Sequence, residues 1–283
     1  MVTAQMVKEL RAKTGAGVLD CQKALKESNG DMDSAVDLLR KKGLAAASKK
    51  SGRTTNEGMM FVRFCEERKK FTMISLLCET DFVARTDEFQ NSGKALVEAL
   101  SHSMEEVEGG PVDESVREAH KQKLTESIAK IGENIQLGDY CHWMGDAQST
   151  IAYYIHHNGK IGVGVELTSS KIATELSELA KKISLHIAAA SPEYLDPASV
   201  PEAVIQKERE IYTDQMKESG KPMPVIEKIV EGKIAKFYED RCVMNQKYAL
   251  DPDHSIPSML EDVSKKIGAP VAFKRFARFM IGE

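Results

Sequence analysis

The spacing of apolar residues changes along the chain, and each change predicts a different kind of element. Between residues 3 and 42 they recur at helical intervals in three groups: Met6, Val7 and Leu10; Val18, Leu19, Ala24 and Leu25; Ala35, Val36, Leu38 and Leu39. Thr14-Gly15-Ala16-Gly17 breaks the first group, Asn29-Gly30-Asp31 supplies a stop followed by an N-cap, and Gly43 closes the third. The pattern predicts a three-helix module, with Ala45 to Gly52 as a linker that starts helical. From about Arg53 the period shortens. Gly58 to Cys65 and Lys70 to Cys78 are apolar, β-rich runs separated by Glu66-Glu67-Arg68-Lys69, the mark of a hairpin. Helical spacing returns over about 87–102 and 114–131, with Gly109-Gly110-Pro111 as a break between them.

The same order then recurs. Tyr140 to Met144, Ile151 to His156 and Ile161 to Leu167 read as three antiparallel strands, and Lys171 to Ala190 as a helix. Two charged helical segments, Pro201 to Ser219 and Pro224 to Arg241, joined by Gly220-Lys221-Pro222, predict an inserted helical hairpin. Ile256 to Ile267 and Pro270 to Ile281 return a helix and a strand. The class is α+β: a three-helix domain with its linker at 1–53, one α+β unit at 54–139, and a second at 140–283 carrying the hairpin at about 201–241.

Composition narrows the function classes. No apolar run reaches the roughly 20 residues of a membrane span. Met1 to Leu10 has neither a secretory apolar core nor an Arg-rich transit pattern, so an unprocessed cytoplasmic protein is expected. Five scattered cysteines, Cys21, Cys65, Cys78, Cys141 and Cys242, form no C-x-x-C pair and read as reduced, packed thiols. The net charge of −4 divides unevenly, with eleven Lys/Arg against six Asp/Glu in residues 1–53 and twenty-eight against thirty-seven beyond. A modest basic excess of this kind is most often a solvated face.

Candidate chemistry is sparse. His156 and His157 are neighbours on a strand, so they point to opposite faces and cannot readily share a metal ion. Gly159-Lys160-Ile161-Gly162-Val163-Gly164 lacks both phosphate-loop patterns and precedes a strand, so no bound nucleotide is expected. There is no G-x-S-x-G, and no cysteine is paired by sequence with a histidine. Phe273-Lys274-Arg275-Phe276-Ala277-Arg278-Phe279 interleaves bases with aromatics, which suits either nucleic acid or an ordinary half-buried strand; the strand is the stronger reading. The most informative stretch is Glu79-Thr80-Asp81-Phe82-Val83-Ala84-Arg85, where a buried strand runs into an acid, a large aromatic and a helix start capped at Thr86.

These pieces together resemble the translation elongation factor Ts family. The resemblance rests on Leu10 to Leu25, on Thr80-Asp81-Phe82-Val83, on Ile131-Gly132-Glu133-Asn134-Ile135, on Tyr154-Ile155-His156 with Lys160-Ile161-Gly162-Val163, and on His186-Ile187-Ala188-Ala189. It implies a ubiquitin-associated-like N-terminal domain and a guanine nucleotide exchange factor that binds elongation factor Tu in its GDP-bound and nucleotide-free forms, without cofactor, metal, nucleic acid or membrane. It also implies that Phe82, with Thr80, Asp81 and Val83 around it, wedges into the partner's G domain and dislocates its Mg²⁺ and phosphate-binding elements. Ile131, Gly132 and His156 would add contacts, and Val18 and Leu19 would dock the N-terminal module. Gln22-Lys23 and His157-Asn158 depart from the Lys-Lys and Gly-Gly of many members, and the chain ends at Gly282-Glu283, where some members carry a further helix. A homodimer of heterodimers and the role of the hairpin stay open. The competing readings are an adaptor built on residues 1–53, which would retain activity alone, and a cysteine enzyme, which alkylation would inactivate.

Overall fold

A computed structural model describes residues 2–217 and 221–282. Three helices open the chain: α1 (Ala4–Thr14), α2 (Val18–Glu27) and α3 (Met32–Lys50). Their starts follow local chemistry. The Thr3 hydroxyl accepts from the Met6 N–H at 3.2 Å and the Asp31 carboxylate from the Ser34 N–H at 2.8 Å, satisfying amides that have no partner within the helix. Leu10, Cys21, Ala24, Leu25 and Ala35 form the core of this module. Gly43 does not end the third helix as its sequence position suggests. It is buried, and a Cβ there would lie 3.4 Å from the Ala129 Cβ, so the glycine marks a close helix–helix approach inside a continuous α3.

β1 (Glu57–Cys65) and β2 (Lys70–Cys78) form the expected hairpin, with Phe61 opposite Ile74. A one-turn helix, α4 (Asp81–Ala84), leads into α5 (Asp87–Leu100); β3 (Val107–Pro111), α6 (Glu114–Ile131) and β4 (Gln136–Met144) follow. The strands make an antiparallel sheet in the order β1-β2-β4-β3. Two sequence readings are corrected here. Gly109-Gly110-Pro111 is an edge strand, with Gly110 opposite Tyr140, and not merely a break. Tyr140 to Met144 does not begin a second sheet: Tyr140 pairs with Ile74 and Trp143 with Phe71, placing β4 at the centre of the first. Phe61, Ile74, Leu76, Phe89, Leu96 and Leu137 close the core between this sheet and its helices. Residues 157–161 and 279–282 also belong to this first compact unit, where the Met60 N–H donates to the Gly159 carbonyl at 2.8 Å and Lys160 pairs with Glu57 at 2.7 Å.

The second unit spans residues 145–156 and 162–278. It contains β5 (Ser149–Ile155), most of β6 (Ile161–Ser169), α7 (Thr174–Ala190), α8 (Glu202–Lys217), α9 (Met223–Arg241), a short ribbon of β7 (Lys247–Tyr248) and β8 (Asp251–Ser255), α10 (Ile256–Ile267) and most of β9 (Val271–Met280). The sheet order is β5-β6-β9. The α8 and α9 pair is the expected hairpin, closed on Ile205, Ile226, Val230 and Ile234. Residues 218–220, which include Gly220 of the expected Gly220-Lys221-Pro222 turn, and Glu283 lie outside the described residues.

On β9 the alternation resolves as a strand. Phe273, Arg275, Ala277 and Phe279 face inward. Arg275 (8% exposed) donates through Nε to Glu166 (0% exposed) at 2.6 Å, and Lys274 Nζ and the Ser149 hydroxyl bond the other carboxylate oxygen at 3.0 and 2.6 Å. A buried carboxylate is tolerable only when matched in this way. His186 on α7 is buried too. Its Nε2 donates to Gln246 Oε1 at 2.8 Å, while its Nδ1 accepts from the Ala249 N–H at 3.1 Å, which makes the imidazole neutral; burial lowers its pKa.

Candidate partner-binding surface

Burial on β2 ends at Cys78, and within four residues the chain places a large aromatic in solvent. Phe82 is 80% exposed, while its neighbours Val83 and Ala84 turn toward the core formed with Phe61, Phe89 and Leu96. A helix of four residues has too few internal bonds to hold its own orientation. Here its ends are held from outside. The Thr80 hydroxyl caps α4 by accepting from the Val83 N–H at 3.4 Å. At the other end the Thr86 hydroxyl donates to the Val83 carbonyl at 2.8 Å and accepts from the Phe89 N–H at 3.3 Å, capping α5 as the sequence predicts. Asp81 and Arg85 form an exposed i,i+4 pair at 3.0 Å, which contributes little to stability.

The second motif reaches the same turn. Gly132, in the left-handed conformation at φ 87°, ends α6 and redirects the chain. Glu133 Oε2 accepts from the backbone N–H groups of Glu79 and Thr80, both at 3.0 Å, and Oε1 accepts from the Thr80 hydroxyl at 2.7 Å. Glu79 reciprocates by accepting from the Asn134 N–H at 2.7 Å and pairing with Arg53 at 3.3 Å; the Asn134 bond and then Arg53 hold its carboxyl below the usual range. Asn134 Nδ2 in turn donates to the Arg53 carbonyl at 2.8 Å. Thr80, Asp81 and Phe82 therefore lie on a turn braced by the residue after Gly132, with Val83 packed inward. Ile131 is half buried against the core beneath. Sequence reasoning quoted Glu133 and Asn134 within a motif but gave them no role. The signal available was an acid directly after a helix-ending glycine.

The remaining candidates stand elsewhere. Val18 (51% exposed) and Leu19 (70% exposed) open α2, whose N-cap, Gly17, offers no side-chain hydrogen bond. His156, in the second unit, is partly exposed at the end of β5, with its Nδ1 2.9 Å from the Tyr154 hydroxyl oxygen. Cys78 and Cys242 are poorly prepared as nucleophiles. Four of the five cysteines are buried, and burial, reinforced by Glu133, pushes the Cys78 thiol up to about 12, while burial and Asp196 push Cys242 up to about 11. Among the described residues no helix is long and apolar enough to cross a membrane.

Known proteins match this chain over most of its length. The sequence pattern of the family described as "Elongation factor TS" matches residues 79–283, beginning one residue before Thr80. An "Elongation factor Ts" of Desulfovibrio desulfuricans is 42% identical over 99% of this chain and 98% of its own length. Relatives of the same description from Clostridium perfringens and Trichlorobacter lovleyi are 41% and 40% identical over all of this chain and 94% and 93% of their own lengths. The chain belongs to the elongation factor Ts family, a family of translation elongation factors.

Proposed function

We propose that this chain promotes nucleotide exchange by binding: it engages elongation factor Tu carrying GDP, displaces the elements that hold Mg²⁺ and the nucleotide phosphates, and stabilises the nucleotide-free state so that GTP can enter. The observation that carries this reading is Phe82, an aromatic at 80% exposure on a turn braced at both ends. An exposed phenyl ring gives little to the stability of the free protein, so its apolar area is available to a partner. Because the turn is already ordered, little of that binding energy is spent on arranging it.

The driving force is linkage. A factor that binds the nucleotide-free partner more tightly than the nucleotide-bound one must weaken nucleotide affinity by the same ratio. No covalent step is required, and the chain acts as a binding protein and not as an enzyme. Thr80 and Val83 fix the wedge, Asp81 stands beside it, Ile131, Gly132 and His156 add contacts to the same partner, and Val18 with Leu19 docks the helical module. Nucleic acid and membrane take no part, and the site of action is the cytoplasm.

Release of a fluorescent GDP analogue from elongation factor Tu, followed by stopped flow at increasing concentrations of the chain, tests this. Saturable acceleration is expected. An unchanged rate with a cognate partner would overturn it.

A further inference from the structure

We propose that Glu133 is a positioning residue for exchange, its carboxylate setting the direction in which Phe82 leaves the surface. The inference rests on the exchange reading above. Three donors converge on this one group, the N–H of Glu79, the N–H of Thr80 and the Thr80 hydroxyl, at 3.0, 3.0 and 2.7 Å. The third bond matters most for geometry. By accepting the hydroxyl's hydrogen bond, Glu133 fixes the Thr80 rotamer so that its oxygen faces the Val83 N–H, and that contact caps the helix bearing Phe82. Hydrogen bonds to an ionised acceptor are shorter and stronger than neutral ones, which suits a clamp working on a partly exposed loop.

The clamp is also two-sided. Glu133 bonds the chain at Glu79 and Thr80, while Glu79 bonds the chain at Asn134. The segment before α4 and the segment after α6 are thus tied to each other by reciprocal carboxylate-to-amide bonds. Both acids act on backbone amides and one hydroxyl, so the pair bears on the orientation of the two segments. A wedge works through the placement of its tip, and a shift of about 1 Å in a group engaged with its target lowers rates substantially.

The test is a mutant cycle on the full chain, reading the maximal rate of GDP-analogue release and the half-saturating concentration separately. Glu133→Ala is expected to lower the maximal rate about tenfold, with a smaller change in half-saturation. Glu133→Gln keeps an oxygen for the two amides but loses the acceptor for the Thr80 hydroxyl, so it should recover only part of the loss. In a Phe82→Ala background Glu133→Ala should cost nothing further, because the carboxylate acts through the ring. An unchanged rate for Glu133→Ala, while Phe82→Ala is slow, overturns the positioning role alone. Equal losses in both backgrounds also overturn it, since they indicate a general structural effect. A silent Phe82→Ala removes the wedge and this inference with it. Should Glu133→Ala fail to fold, Thr80→Val deletes the hydroxyl arm of the clamp at nearly constant shape, and the same non-additivity is expected.

Discussion

Among the described residues that expose large apolar side chains, Phe82 and the Val18–Leu19 pair are mounted in opposite ways. Phe82 rides on a single helical turn whose flanks are fixed by the hydroxyls of Thr80 and Thr86 and by the carboxylate of Glu133. Val18 and Leu19 begin a ten-residue helix whose N-cap is a glycine with no side-chain bond. The first arrangement fixes the direction of one ring. The second presents a small greasy surface whose exact angle is left to the helix end. The difference teaches that exposure alone does not define a role: on the proposed exchange reading, a side chain that displaces needs its backbone held, whereas one that adheres needs only area.

The contrast is broken most directly by Phe82→Ala. Maximal GDP release should fall on the order of a hundredfold, in the range of a strong interface residue, while the thermal midpoint stays unchanged because the ring is mostly in solvent already. Leu19→Ala should behave in the opposite sense. It should raise the half-saturating concentration by about tenfold and leave the maximal rate almost untouched, since adhesion contributes equally before and after the nucleotide leaves. Thr86→Ala tests the mounting. Losing an N-cap should cost about 1 kcal/mol in denaturant unfolding, with a slower maximal release only if the far end of the α4 turn helps to aim the ring.

The smallest effect concerns pH. Burial lowers the pKa of His186 and of His142, whose Nδ1 lies 2.8 Å from the Thr72 hydroxyl. The unfolded chain therefore takes up protons first, so the stability these neutral imidazoles support is complete above about pH 6.5 and is lost as pH falls below it. Proton NMR should show both rings still neutral at pH values where an exposed histidine has titrated. Exchange by the Phe82 turn, which contains no histidine, should change little over that window.

The parts of this fold that were legible in the sequence are those governed by neighbours in the chain. The β1–β2 hairpin was marked by its charged tetrapeptide, α5 by Thr86 as its cap, and the α8–α9 hairpin by helical spacing on either side of a proline. What was missed depends on distant partners. β4 shares its apolar character with any buried strand, and only its pairing to β2 across about sixty residues of chain assigns it to the first sheet. Gly109-Gly110-Pro111 carries every local mark of a break, yet an edge strand tolerates these residues because one side makes no ladder bonds. The exposed position of Phe82 could be suspected from its motif. Its clamp was missed, because an acid directly after a helix-ending glycine does not say which distant turn it will hold.

The continuity of α3 through Gly43 has a consequence for how the two patches act together. The helix runs to Lys50, and the Arg53 carbonyl is already bonded by Asn134, so Ser51 and Gly52 are nearly the whole of the tether between the helical module and the sheet. A flexible linker would give the second grip an effective concentration set by chain statistics. On the proposed exchange reading, so short a tether would let the first grip to land hold the other close by, and the molecule would meet its partner as a bivalent caliper.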